Sequence, residues 1–191
     1  MSSFEYVMVI VSIIMGLGIT SLLRGMVHTL RAETGWKPSI LHSLWVANML
    51  VLHVGLWSVR WSGETQEEWS FMLLMAFLFL PILYYAMAEL LFPRTDQSID
   101  LSDYFLANRK IFFGSQVLNM IASTVGPFIF YGGENPVGDL SGPEIFRFVM
   151  PVVLAGVHVS MVFTENKRIH SLWAAANLVL FTMVFAVLRV G

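Results

Sequence analysis

The chain has 191 residues, of which 57% are hydrophobic and only 13% charged, with a net charge of -2 and a mean hydropathy of +0.71. A soluble domain carries charge on roughly a quarter of its residues, so most of this surface is suited to an apolar medium, and the balance gives no basic footprint for nucleic acid. The absence of cysteine excludes disulfides, thiolate nucleophiles and cysteine-ligated metal centres together.

Six apolar stretches, near residues 4–25, 39–60, 70–92, 109–131, 145–164 and 169–190, are long enough to cross about 30 Å of hydrocarbon as helices. In lipid every backbone polar group must be satisfied within its own segment. The expected fold is an all-α membrane protein, a single transmembrane domain of six helices. The opening MSSFE lacks the basic flank of a cleavable signal, so the first stretch is expected to remain as a span. Turn residues mark the joints: Gly35 with Pro38, Ser62-Gly63, Pro93, the run from Gly132 to Pro143, and Glu165-Asn166.

Charge sets the expected orientation. The joints after the first, third and fifth stretches hold Arg24, Arg31, Lys37, Arg94, Arg109, Lys110, Lys167 and Arg168, against Arg60, Arg147 and Arg189 on the other side. By the positive-inside rule the first group is cytoplasmic, which leaves both termini outside. The outer side is acidic, with Glu5, Glu64, Glu67, Glu68, Glu134, Asp139 and Glu144, and Trp36, Trp61, Trp69 and Tyr131 fall where an interfacial aromatic belt belongs.

The first stretch carries two rows of small residues, Ser12 with Gly16, and Gly18, Ser21 and Gly25. Such rows let helix backbones approach closely in lipid; a flexible gate at Gly16-Leu17-Gly18 is the alternative. In the third stretch Pro81 removes a ladder hydrogen bond and is expected to kink the helix.

One motif is written twice. HSLWVANMLVL from His42 to Leu52 returns without a gap as HSLWAAANLVL from His170 to Leu180, with eight of eleven positions identical. Both copies start at the basic end of an even-numbered stretch, so they imply parallel repeats of helical hairpins about an axis near the membrane normal. A fainter third member is suggested by Asn108-Arg109-Lys110-Ile111 beside Asn166-Lys167-Arg168-Ile169, a register that matches Asn119 with Asn177.

Polar side chains at membrane depth are the functional candidates, because intramembrane ionisable and amide groups are costly unless they are used or partnered. His53 on the second stretch, Gln116, Asn119 and Ser123 on one face of the fourth, His158 on the fifth and Asn177 on the sixth are the pathway or binding candidates; interhelical glue is the alternative for each. His42, Glu89, Arg109 and His170 form a candidate polar cluster at the inner end. No ligand spacing of the H-E-x-x-H kind supports a metal site, and no cofactor is implied. Asp96, Asp100 and Asp103 in DQSIDLSD suggest either a carboxylate metal site or, more simply, caps for the helix that follows. No P-loop, zincin helix or G-x-S-x-G elbow is present.

The opening FEYVMVIVSIIMGLGIT, with YFLANRKIFF from Tyr104 to Phe113, resembles a set of small bacterial polytopic membrane proteins known only as uncharacterised. The resemblance implies a bacterial inner membrane and no activity. The sequence therefore leads to a channel- or transporter-like bundle moving a small ion or solute, with the lipid bilayer as its surroundings and a homo-oligomer as its expected assembly. The alternatives are a non-transporting scaffold or sensor subunit, whose basic cytoplasmic loops would receive a protein partner, and a histidine-based metal or cofactor binder.

Overall fold

In the computed structural model the described residues are 2–31, 35–61, 69–95, 97–130 and 143–187. They form six helices: α1 (Ser3–Leu30), α2 (Ile40–Trp61), α3 (Phe71–Leu90), α4 (Leu101–Phe130), α5 (Pro143–Phe163) and α6 (Lys167–Val187). The fold is all-α. Four of the helices, α1, α2, α3 and α6, are long and apolar enough to cross a membrane. Glu64, Glu67, Glu68, Asp96, Tyr131, Glu134, Asp139 and Arg189 lie outside the described residues, and so do the outer joints that carry most of the expected acidic face.

At the starts of α1, α3, α4 and α6 a side chain satisfies amides left open by the first turn. The Ser2 hydroxyl accepts from Glu5 N while Glu5 accepts from Ser2 N, a reciprocal capping box. Ser70 accepts from Leu73 N at α3, and Asn166 Oδ1 accepts from Arg168 N at α6. At α4, Asp100 Oδ1 accepts from Ser102 N at 2.8 Å, from the Ser102 hydroxyl at 2.6 Å and from Asp103 N at 3.3 Å. Asp100 is thus a cap. This explains why α4 starts at Leu101 rather than near 109: its first two turns are amphipathic, with Leu101 and Phe105 buried and Asp103 exposed.

The Ser102 hydroxyl holds the Asp100 carboxyl below the usual carboxylate range. A depressed folded value means that the cap stabilises fully above the unfolded carboxyl value, near pH 4, and loses that effect as pH falls through the folded value. Asp100→Ala is expected to destabilise the chain by about 1 kcal/mol at neutral pH. The gap from the parent protein should close in acid when thermal unfolding is followed across pH.

The described parts of three joints, 35–39, 91–95 with 97–100, and 164–166, lie at one end of the bundle. Lys37 N donates to Ile99 O at 2.8 Å and Leu101 N to Lys37 O at 3.2 Å, a short parallel bridge between two joints. Gly35, at φ +67°, takes the left-handed conformation that glycine adopts without strain, and its carbonyl accepts from the Ser98 hydroxyl. The third joint is tied to α4 by Lys167–Asp103 at 2.5 Å and Arg109–Glu165 at 2.6 Å.

Helix α2 packs against α1, α3, α4 and α6, while α4 lies along α5 and α1 along α3. Leu41, Trp45, Val46, Met49 and Leu52 are buried on α2, and they cover too wide an arc for one neighbour. Around Trp45 gather Phe105, Phe112 and Phe113, with ring centroids 5.9, 5.1 and 5.3 Å away. By contrast Val9, Ile13, Leu17, Ile82, Ile121, Val152 and Val179 are exposed, so the apolar periphery faces away from the bundle. Helix α3 continues through Pro81. The small-residue rows divide: a Cβ on Gly18 or Gly25 would lie 2.3 Å from His53 or 2.5 Å from Phe92, whereas Gly16 faces open space.

Candidate functional site

The buried polar side chains gather on two sides of α2. On the side of α1, α3 and α4, His53 Nδ1 donates to Met49 O at 2.6 Å, one turn back on its own helix. A carbonyl only accepts, so this bond fixes the tautomer and leaves Nε2 with a bare lone pair. That nitrogen sits against Gly18 of α1 and has no hydrogen-bond partner. The His53 ring packs edge-on to Tyr84 at 5.5 Å, and Asn119 Nδ2 donates to Tyr84 Oη at 3.2 Å. Gln116 Nε2 reaches Met49 Sδ at 3.8 Å, a weak acceptor for a fully buried amide.

On the other side, Asn48 Nδ2 donates both to Leu44 O in its own helix and to Ala174 O in α6, each at 2.8 Å. The two copies of the repeated motif therefore touch through this amide. His158 of α5 is stacked on Phe113 at 5.8 Å and packed against Trp173 at 5.6 Å; His170 stacks on the same Phe113 at 5.3 Å. Here the unpartnered polar atoms concentrate: Asn48 Oδ1, both ring nitrogens of His158, His170 Nδ1, Trp173 Nε1 and Asn177 Nδ2. His158 and Asn177 are each only 1% exposed.

The expected inner-end cluster does not converge on one point. His42 Nε2 donates to Leu91 O at 2.8 Å, where α3 ends, and His170 Nε2 donates to Thr164 O at 2.9 Å, just past the end of α5. The first histidine of each motif copy thus performs one task, closing a carbonyl left open at a helix C-terminus. Tyr104 completes the α3 end by donating to Leu90 O and Phe92 O. Glu89 is bonded to Arg94 at 3.2 Å, and Arg109 spans from Leu106 O to Glu165. His42 and Glu89 are thus clasps at the joint after α3, and Arg109 and His170 at the joint after α5. The fainter repeat has no such common role, because Asn108 donates to Tyr104 O within α4 whereas Asn166 caps α6.

Among the remaining sequence candidates, Gln116 and Asn119 are buried, but Ser123 is exposed and donates back to Asn119 O. None of residues 121–126 is buried, so the tightly packed part of α4 ends at Met120. Sequence reasoning missed Asn48 and Tyr84, whereas the motif places Trp173 on one helical face with His170 and Asn177. Asn48 is hidden by the motif itself, since the second copy has Ala176 there. Among the described residues no group of three or more histidine, aspartate or glutamate side chains is placed to hold a metal ion.

Comparison of the chain with protein-family models, with curated proteins and with solved structures finds no match in any of the three.

Proposed function

We propose that this chain is a six-span membrane bundle that passes a small ion or solute along the polar seam flanking α2, with the three tied joints on the cytoplasmic side. The eight basic residues near those joints support that orientation, and α4 contributes a stretch without charge from Ile111 to Phe130. A single observation carries the transport reading. The α6 side of α2 holds donors and acceptors that no described residue satisfies, namely Asn48 Oδ1, Asn177 Nδ2 and the His158 ring nitrogens, and the α1 and α3 side adds the His53 Nε2 lone pair.

Amides and imidazoles that serve as interhelical glue are satisfied by their neighbours, because an unpaired buried polar group costs about 1–3 kcal/mol. Complementary donors and acceptors left open on the same side of a helix, as Asn48 Oδ1 and Asn177 Nδ2 are, are instead what water or a polar solute completes. The dense ring packing around Trp45 and Phe113 favours a second reading, a scaffold or sensor subunit in which the seam is static.

The absence of cysteine makes the two readings separable by single-cysteine labelling. Asn177→Cys and His158→Cys in bilayers are expected to react with a small water-soluble thiol reagent, while Val179→Cys, on the exposed apolar face of α6, stays inert. Asn177→Cys and His158→Cys both as inert as Val179→Cys would establish a dry seam and the static reading.

A further inference from the structure

A second polar feature lies apart from the seam, at the joint end between α1 and α3. A cleft of about 440 Å³ is lined by Ser21, Arg24, His28, Glu89, Phe92 and Arg94, among others. Arg94 and Glu89 are paired at 3.2 Å, yet the Arg94 side chain remains 85% exposed, which leaves most of its guanidinium donors facing outward. Arg24 adds a second guanidinium. The cleft thus sets two guanidinium groups against one carboxylate. His28 packs edge-on to Trp36 at 4.2 Å, and Phe92 and Trp36 give the cleft an apolar floor.

A neighbouring hollow on α1 shares Arg24 and His28 and adds Thr20, Leu23, Val27 and Arg31. Leu23 and Val27 are exposed and apolar beside Arg24 and His28, and from Arg24 the exposed apolar Leu17 and Ile13 follow on the same face of α1 toward the middle of the helix. At roughly 1.5 Å per residue α1 is about 42 Å long, longer than the hydrocarbon it would cross, so its last turns lie at headgroup depth. A cationic cleft that opens onto an apolar helix face at that depth matches a ligand with a charged head and an acyl chain.

We infer that this cleft binds the phosphodiester headgroup of an anionic phospholipid, with Arg24 and Arg94 on the phosphate oxygens and an acyl chain along Leu17 and Ile13. The excess of guanidinium over carboxylate selects an anionic head, and the apolar helix face beside it selects one that carries an acyl chain. Guanidinium forks suit phosphate oxygens, and basic pockets at the cytoplasmic ends of membrane helices recognise anionic heads. The inference rests on the membrane reading but not on transport.

The test uses the full chain in bilayers of equimolar phosphatidylcholine and phosphatidylglycerol, extracted in mild detergent, with retained lipids counted by native mass spectrometry. Phosphatidylglycerol is expected to be enriched over phosphatidylcholine by roughly thirtyfold, as two arginines at a membrane surface would give. Arg24→Gln with Arg94→Gln should abolish the enrichment, and Arg168→Gln, at another joint, should preserve it. Both cleft arginines belong to exposed positions, and equal thermal unfolding in pure phosphatidylcholine confirms that the variants fold. Inorganic phosphate at millimolar concentration is expected to leave the lipid in place. Equal retention of the two lipids by the parent protein, unchanged enrichment in the double variant, or displacement by inorganic phosphate would each overturn the headgroup site while leaving the membrane reading intact. Release of the chain from membranes by carbonate washing would overturn both.

Discussion

Trp45→Ala is expected to lower the stability of the folded bundle by about 3 kcal/mol or more, the largest single-residue effect in the chain. Trp45 is fully buried and packs against three phenylalanine rings drawn from two turns of α4. In lipid the transfer of apolar surface from water contributes little, since acyl chains are as apolar as the interior. The loss instead comes from dispersion contacts and from the cavity left behind, which costs about 24 cal/mol per Å³ that the neighbours fail to fill. Four interlocked rings cannot collapse into that space easily. The same substitution at the equivalent motif position, Trp173→Ala, should cost about 1 kcal/mol, a typical single-substitution loss, because Trp173 is only partly buried. Denaturant titration of both variants in micelles measures the difference. Equal losses would mean that the two motif copies pack alike, contrary to the structure.

Gly18→Ala should destabilise by about 1–3 kcal/mol, the usual cost of forcing extra volume into a packed site, although alanine is the better helix former. The new Cβ would stand 2.3 Å from His53 Nε2, so the imidazole must swing away and stretch its bond to Met49 O. Gly16→Ala, two residues earlier, meets nothing within 4 Å and should be neutral or stabilising by up to about 1 kcal/mol. Shortening the partner supplies the internal control. In Gly18→Ala/His53→Ala the clash is absent, so the double variant should be more stable than the sum of the two single losses predicts. Strict additivity would show that Gly18 and His53 do not meet.

The six helices were legible in the sequence because apolar length and turn residues declare them without reference to tertiary contacts. Burial of His53, Gln116, Asn119, His158 and Asn177 followed from the same logic, since a polar side chain on an apolar helix turns toward protein. The early start of α4 was not legible from hydropathy: residues 101–108 are amphipathic rather than apolar, and their helix depends on the Asp100 cap and on pairing with Lys167 and Glu165 across the bundle. The motif histidines were misleading in a physical sense. Their repetition suggests a shared site, yet His42 and His170 each close a different helix end, a role that depends on where a distant carbonyl finishes. Ser123 shared a face with Asn119 on a helical wheel but lies past the buried part of α4, which periodicity alone does not reveal. The division of the polar residues between the two sides of α2 required the packing of all six helices.

The most direct test of the transport reading is proton and monovalent-ion flux into liposomes containing the purified protein, beside Asn119→Leu and His53→Phe variants shown to be folded. The polar seam predicts flux above that of empty liposomes, reduced about tenfold in each variant, the factor that 1.4 kcal/mol of lost stabilisation at a barrier gives. Parent-protein flux equal to that of empty liposomes for every ion, with the variants merely less stable, would contradict ion conduction and favour a scaffold or sensor subunit, leaving an uncharged solute as the one transport case.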